Sequence, residues 1–360
     1  MPISSYDIHG HKKHLIGLDY LRGLAALCVM LFHYTAWTNQ NYSELFWDKM
    51  AIYSVSIFYI VSGMTLHYVY SQNLQLKKLD LINFYTKRFF RIFPLFWLVT
   101  IYFMTVERQR PDLKIIFLNY TGLFGFLEWD KGIAFGVWSI GNEIVFYTLF
   151  PFLIWLLRKN RYSFYLVFIL SFKIFGYFTF YEFDPFKIIT AQWHQYYNPS
   201  HQMFIFLSGI MSAHFLQNIK LPIQISLLLI FFGIGSLMLY PVTGQSSALI
   251  YGYDRIALIG LCITICIGFY KINTSWPYFN STLGILGKIS YSMYLLHAPC
   301  FLICSNLCSK FSKVFFMIGP YQIMFYAIAS TLVSSYISNK YFEDFFIRLG
   351  RKIYAKISQA

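Results

Sequence analysis

The chain has 360 residues, of which 57% are hydrophobic and only 12% charged, with a formal net charge of +14. A soluble globular domain carries about 25% charged residues, so this composition excludes an ordinary soluble domain. The positive balance does not point to nucleic acid, because the basic residues are scattered between apolar runs, where they set membrane orientation.

The first fourteen residues, MPISSYDIHGHKKH, are polar and basic and run directly into an apolar stretch without a small-residue cleavage pattern. They are expected to be a cytoplasmic tail, and His9, His11 and His14 read as part of that solvated tail rather than as metal ligands. Beyond them come apolar runs close to the length that crosses a bilayer as a helix, about 20 residues. Helices are the expected solution because hydrocarbon leaves backbone groups to be satisfied within each segment. The alternation of a membrane barrel is absent. The fold expected is therefore all-α, a polytopic membrane bundle of about ten transmembrane helices. They are placed at 15–37, 50–70, 90–106, 136–157, 162–181, 202–217, 223–241, 251–270, 285–306 and 315–338.

Placing the N-terminus inside puts Lys87, Arg88, Arg91, Arg158, Lys159, Arg161, Arg348, Arg351 and Lys352 on the cytoplasmic side. Fewer basic residues, such as Arg108, Lys131, Lys187 and Lys313, then fall outside, so both termini are expected in the cytoplasm. The segment 112–128 is apolar but short and interrupted by Asn119, Gly122 and Gly125. It is read as an external or re-entrant segment, and 182–200 as an external loop. Residues 15–338 form one transmembrane domain and 339–360 a cytoplasmic C-terminal tail, with no internal repeat and no second soluble domain. Six cysteines lie in or beside apolar runs; Cys300, Cys304 and Cys308 share a helix face and are read as packing residues. No disulfide framework and no metal site are expected.

Ionisable groups inside a membrane are costly, which makes them functional candidates. The first span, LIGLDYLRGLAALCVMLFHYTAW, contains Asp19, Arg22 and His33. Arg22 and His33 are eleven residues apart, about three turns and roughly 16 Å along a helix, and project close to one face. Taken singly, Arg22 could snorkel to the interface and His33 could be a core histidine; their pairing favours function. Arg88 and Arg91 share a face at the start of the third span. Ordinary anchoring is the plain reading there, and a bidentate phosphate grip the functional one. In the fourth span Ser139 and Glu143 share a face, with Asn142 and Tyr147 adding polar groups. A carboxylate at that depth needs a partner or becomes neutral, and a Glu143–His33 pair is geometrically plausible. In the ninth span Ser290, Tyr294 and His297 approach one face, and His297 reads either as a further polar group in the cavity or as a packing residue. Asp254 and Arg255, at the outer end of the eighth span, either touch a substrate or pair with each other.

Together these stretches resemble the acyltransferase 3 family of membrane O-acyltransferases, over nearly the whole chain. The resemblance rests on LDYLRGLAALCVMLFHY around Arg22 and His33, FYIVSGMTL at 58–66 and KRFFRIFP at 87–94. It continues through VWSIGNEIVFYTLFP at 137–151, FLSGI at 206–210 and ISYSMYLLHAP at 289–299. Each motif is weak alone; their order and spacing are specific. The chain departs from a common form of the family at Gly141-Asn142, beside Glu143, which leaves the role of Asn142 open.

The resemblance implies transfer of an acyl group, usually acetyl, from cytoplasmic acyl-coenzyme A to a hydroxyl of a surface polysaccharide or lipid-linked saccharide, such as a lipopolysaccharide O-antigen. The expected setting is the bacterial inner membrane. Because the chain ends soon after its last expected span, it is expected to be a stand-alone form without an extracytoplasmic hydrolase-like domain. In the mechanism expected, Arg22, Arg88 and Arg91 hold the coenzyme A phosphates. His33 acts as general base or carries the acyl group covalently, and Glu143 orients it. Ser139 or Asn142 donates to the oxyanion, and Tyr147, Arg255 and His297 contact substrate. The rival reading is a glycan, lipid or proton-coupled transporter; halves related by a repeat would favour it, and none is visible.

Overall fold

The computed structural model describes residues 15–38, 44–272, 277–312 and 318–359. The expected tail 1–14, the loop residue Lys313 and the first residues of the tenth expected span lie outside the described residues.

Among the described residues the structure is helical, without β-strands. The α-helices in chain order are α1 (Ile16–Thr38), α2 (Glu44–Tyr70), α3 (Lys78–Thr105), α4 (Leu113–Thr121), α5 (Phe124–Leu127), α6 (Trp138–Lys159) and α7 (Arg161–Tyr177). They continue as α8 (Trp193–Tyr196), α9 (Pro199–Leu216), α10 (Ile223–Leu239), α11 (Gly252–Tyr270), α12 (Pro277–Ser312), α13 (Pro320–Ile337) and α14 (Asp344–Gln359).

Polar residues punctuate the apolar runs where helices begin. The Asn160 side chain accepts from the backbone N–H groups of Tyr162 and Ser163 and so starts α7 directly after α6. Asn198 does the same for Ser200 at the start of α9, where Pro199 occupies the first helical turn. Prolines inside α3 (Pro94), α6 (Pro151) and α12 (Pro299) are accommodated within long helices, as membrane helices permit.

Among the described residues seven helices are long and apolar enough to cross a membrane: Ile16–Thr38, Leu45–Tyr70, Lys78–Thr105, Trp138–Lys159, Arg161–Glu182, Gly252–Tyr270 and Ser281–Ser312. The apolar α10 is shorter, at 17 residues. The remaining two expected spans are present as α9 and α13, each of 18 residues. They stand outside the apolar set because polar side chains interrupt them, His201, Gln202 and Ser208 in one and Gln322, Ser330, Thr331, Ser334 and Ser335 in the other. The segment 112–128 folds as two short helices. The nine-residue α4 is about 14 Å long, too short for a hydrocarbon core of about 30 Å. It stops at Gly122, whose φ of +76° is the left-handed conformation that glycine adopts without a Cβ penalty. The stretch expected as a C-terminal tail is helical as well. A π-helical turn, Ser338–Glu343, leads into the amphipathic α14, which packs along α3 with Gly350 against the Phe90 ring.

The chain forms two compact units, one from the described parts of 1–25, 44–74 and 152–287, the other from those of 26–43, 75–151 and 288–360. The first unit is held by close helix contacts at glycines. In the α2–α9 pair a Cβ on Gly63 would collide with the Phe206 carbonyl, and one on Gly209 with the Ile60 carbonyl. Small residues at such crossings let membrane helices approach closely and gain dispersion contact. Gly209→Val is therefore expected to destabilise this unit by about 1–3 kcal/mol, the usual cost of overpacking; thermal unfolding of the purified protein in detergent measures it, and an unchanged midpoint contradicts the packing argument.

Candidate active site

The second unit holds the cluster built around His33. Residues four apart on a helix share a face, so His33 and Trp37 of α1 lie one above the other, and their rings stack at 5.3 Å. The Phe135 ring meets His33 edge-on at 4.9 Å. From α12, His297 stacks on His33 with centroids 4.9 Å apart and ring planes within 17°. Trp37 and Phe135 remain 37% and 40% exposed, which makes them an accessible aromatic rim beside a half-buried imidazole.

The hydrogen bonds of this pair fix its tautomers. His297 Nδ1 lies 2.7 Å from the Tyr294 carbonyl oxygen. A carbonyl only accepts, so Nδ1 carries the hydrogen and, in the neutral ring, Nε2 keeps a lone pair. That Nε2 is 3.1 Å from His33 Nδ1, so His33 Nδ1 is the donor and His33 Nε2 holds the lone pair. His297 is itself anchored: Tyr34 Oη donates to its carbonyl at 2.8 Å and lies 2.6 Å from Thr331 Oγ1 of α13.

Tyr294 joins this pair to Ser139. The Tyr294 hydroxyl is 2.7 Å from Ser139 Oγ and donates to the Gly136 carbonyl at 3.0 Å. Ser139 Oγ also approaches the Gly136 carbonyl, at 3.2 Å. Gly136 has φ +75°, a conformation that an L side chain would strain, and this turn presents its carbonyl to both hydroxyls.

The partner on His33 Nδ1 is thus His297, which the sequence suggested only as a further cavity group. Glu143, expected beside His33, lies one turn along α6 from Ser139 and acts electrostatically on Tyr291, together with Arg91, Tyr147 and Glu343. Asn142 is fully buried. Its neighbour Gly141 is a glycine for a steric reason: a Cβ there would come within 2.7 Å of the Phe124 ring, and the Gly141 carbonyl faces Gly125 of α5. The Gly141-Asn142 departure therefore accommodates α5 against α6.

Of the three arginines expected to grip phosphate, two lie in this unit. Arg88 sits over the rings of Phe84 and Tyr147, at 5.6 and 5.4 Å. Arg91 is exposed on α3 and faces Glu343 electrostatically. Glu343 is buried, and Ser292 donates to it. Helix α14, alongside α3, adds exposed Arg348, Arg351 and Lys352. Arg22 belongs to the first unit, where Nη1 pairs with Asp19 at 2.7 Å and Nη2 donates to Thr65 of α2 at 2.6 Å. Arg255 is also in the first unit and is not paired with Asp254, which accepts from the Tyr240 hydroxyl at 3.0 Å instead. Consecutive helical residues point about 100° apart, so the two side chains diverge.

Sequence reasoning missed Trp37, Phe135, Tyr34, Thr331 and Glu343. The spacing of four between His33 and Trp37 was a usable signal; the others come from segments remote in sequence. Among the described residues no group of three or more His, Cys, Asp or Glu side chains is arranged to hold a metal ion.

Comparison with known proteins bears on this site. The acyltransferase domain that defines the acyltransferase 3 family matches residues 15–339. The chain is similar to the O-acetyltransferase OatA of Staphylococcus aureus strains NCTC 8325, COL and MRSA252, at 24% identity in each case over 95% of this chain and 59% of the relative. The chain therefore spans somewhat over half the length of these curated relatives. No solved structure matches it significantly.

Proposed function

Because the chain belongs to the acyltransferase 3 family, we propose that it is a membrane O-acetyltransferase. In this reading it moves an acetyl group from acetyl-coenzyme A to a hydroxyl of a surface polysaccharide or lipid-linked saccharide. The observation that carries the reading is the tautomer-fixing chain from the Tyr294 carbonyl through His297 to His33, which leaves His33 Nε2 with a lone pair beside an exposed aromatic rim.

The chemistry follows from that lone pair. His33 Nε2 accepts the proton of the sugar hydroxyl as its oxygen attacks the thioester carbonyl. The C–S bond then breaks, and the departing thiolate takes the proton back from His33. His297 holds the ring through Nδ1, the orienting role expected of Glu143. The alternative in which His33 carries the acetyl group predicts label on the protein when acetyl-coenzyme A is supplied without acceptor. Trp37 and Phe135 suit the apolar face of a sugar, which stacks on aromatic rings. Trp37→Ala is expected to raise KM for the glycan roughly three- to tenfold, the worth of one ring contact, with KM for the donor unchanged.

Support for an acyl-coenzyme A donor comes from the basic surface of Arg88 and Arg91 with Arg348, Arg351 and Lys352, since guanidinium groups match phosphate geometry. Arg91→Ala is expected to raise KM for acetyl-coenzyme A about ten- to a hundredfold, the loss of one charge-assisted hydrogen bond, and Arg91→Lys recovers only part of it. A KM unchanged in both variants removes Arg91 from the donor site. The protein is an integral membrane protein; in this reading it resides in the bacterial inner membrane with both termini cytoplasmic, so that the donor arrives from the cytoplasm.

The deciding experiment supplies purified protein with labelled acetyl-coenzyme A and candidate glycans. Label on the glycan is the expected result; glycan movement across vesicles without transfer overturns the reading in favour of a transporter.

A further inference from the structure

The first unit contains a buried cation that acyl transfer does not explain. Arg255, near the start of α11, is fully buried, and none of its three guanidinium nitrogens makes a hydrogen bond of good geometry, the Tyr53 and Tyr196 hydroxyls being its nearest polar partners. Aromatic rings surround it: Tyr53 of α2 at 5.2 Å, Tyr196 of α8 at 5.6 Å and Phe175 of α7 at 6.0 Å. The phenols of Tyr53 and Tyr196 dominate its electrostatic surroundings, and no carboxylate is among them. The Tyr53 hydroxyl hydrogen is committed to the Leu249 carbonyl.

A second buried nitrogen shares the cage. His201 of α9 is fully buried and stacks on Phe175 at 5.3 Å with planes within 2°, while Tyr196 lies 6.0 Å away. Its Nδ1 approaches the Tyr196 carbonyl at 3.4 Å, and its Nε2 has no partner. Ring faces and the two tyrosine hydroxyls compensate part of the cost of burying a guanidinium, but they leave most of its five planar donors without a well-formed bond. A group with five N–H donors and no carboxylate among its electrostatic partners is complementary to a planar or tetrahedral oxyanion.

We propose that Arg255 and His201, walled by Tyr53, Phe175 and Tyr196, form a binding site in the first unit for an oxyanion, a carboxylate or phosphate group. The guanidinium takes two anion oxygens through its fork; His201, neutral with its hydrogen on Nδ1 toward the Tyr196 carbonyl, takes up a proton on Nε2 as the anion binds and so makes a third contact. Tyr196 belongs to the connection between α7 and α9 rather than to a span, and Gln202 Nε2 holds its carbonyl at 2.7 Å. The inference stands apart from the acyl-transfer reading, since none of these residues belongs to the His33 cluster.

The test is the melting temperature of the purified full-length protein in detergent, titrated with sodium phosphate or sodium glucuronate at constant ionic strength against chloride. A parallel arm uses vesicles of phosphatidylcholine with and without phosphatidic acid. The expected result is a saturable rise with phosphate or glucuronate, or with phosphatidic acid alone if the anion is a lipid headgroup. Arg255→Met abolishes the rise, and Arg255→Lys weakens the apparent affinity about tenfold. Arg255→Met removes a buried unpaired charge and is expected to fold at least as well as the parent. Should it fail to fold, Arg255→Lys alone decides. The proposal is overturned if no anion raises the midpoint, or if the rise persists undiminished in the substituted proteins. Either outcome leaves acetyl transfer by the His33 cluster untouched.

Discussion

Replacing His33 by Ala is expected to reduce acetyl transfer by at least about a thousandfold, within the range that a positioned general base contributes and equivalent to roughly 4 kcal/mol of barrier. The lone pair on His33 Nε2 is the only feature of the cluster suited to remove the acceptor proton. Ser139 and Tyr294 bond to each other and to the Gly136 carbonyl. The His297 lone pair is taken up by His33. Alanine is the best helix former, and His33 is half-buried, so α1 and the melting temperature should survive the change. Activity is read as label transferred to glycan per folded protein, with expression and unfolding midpoint as controls. A His33→Ala protein that still acetylates at the parental rate ends the assignment of His33 as base or acyl carrier.

The second large effect is expected at His297. His297→Phe keeps a ring stacked on His33 but removes the nitrogen that accepts from His33 Nδ1. The His33 ring then loses the bond that selects its tautomer, and kcat should fall on the order of a hundredfold, at the lower end of what general-base catalysis supplies, with little change in either KM. His297→Gln separates positioning from packing. A side-chain amide oxygen can accept from His33 Nδ1, so this variant should recover a substantial part of kcat while His297→Phe does not. Equal losses in both, or a loss confined to KM, argue that His297 only fills space. Glu143→Gln sharpens the comparison: if Glu143 rather than His297 orients His33, its removal of charge produces the larger fall in kcat.

Much of the architecture was legible in the chain alone because hydrocarbon imposes a single local rule. Every backbone group must be satisfied within its own segment, so apolar runs near 20 residues become helices wherever they occur. The helices α1, α2, α6, α7, α10 and α11 stand close to where the runs placed them, while α3 and α12 cover their runs and extend beyond them. The short 112–128 segment broke at Gly122, as its glycines suggested. The helical packing of α14 against α3 was not legible, because an amphipathic helix of 16 residues with exposed Arg and Lys reads as a tail until its partner is known.

The sequence by itself determined which residue types could carry chemistry, since ionisable groups in apolar runs stand out by their cost. His33, His297 and Glu143 were singled out on that basis, and Arg88 and Arg91 by their shared face at the start of a span. What only the tertiary structure decided is which of them meet. Glu143 was the partner suggested for His33 and His297 only a further polar group, each on a separate helix, and helical periodicity orders residues along one helix but carries no information about how neighbouring helices rotate against each other. Packing of α12 against α1 within the second unit brings His297 onto His33 Nδ1. Arg255 shows the same limit from the other side. Its neighbour Asp254 suggested an ion pair, yet the turn of the helix sends the carboxylate to Tyr240 and the guanidinium into a cage of rings drawn from α2, α7 and α8. Spacing along a chain fixes direction on a helix; only the assembled helices fix the company a side chain keeps.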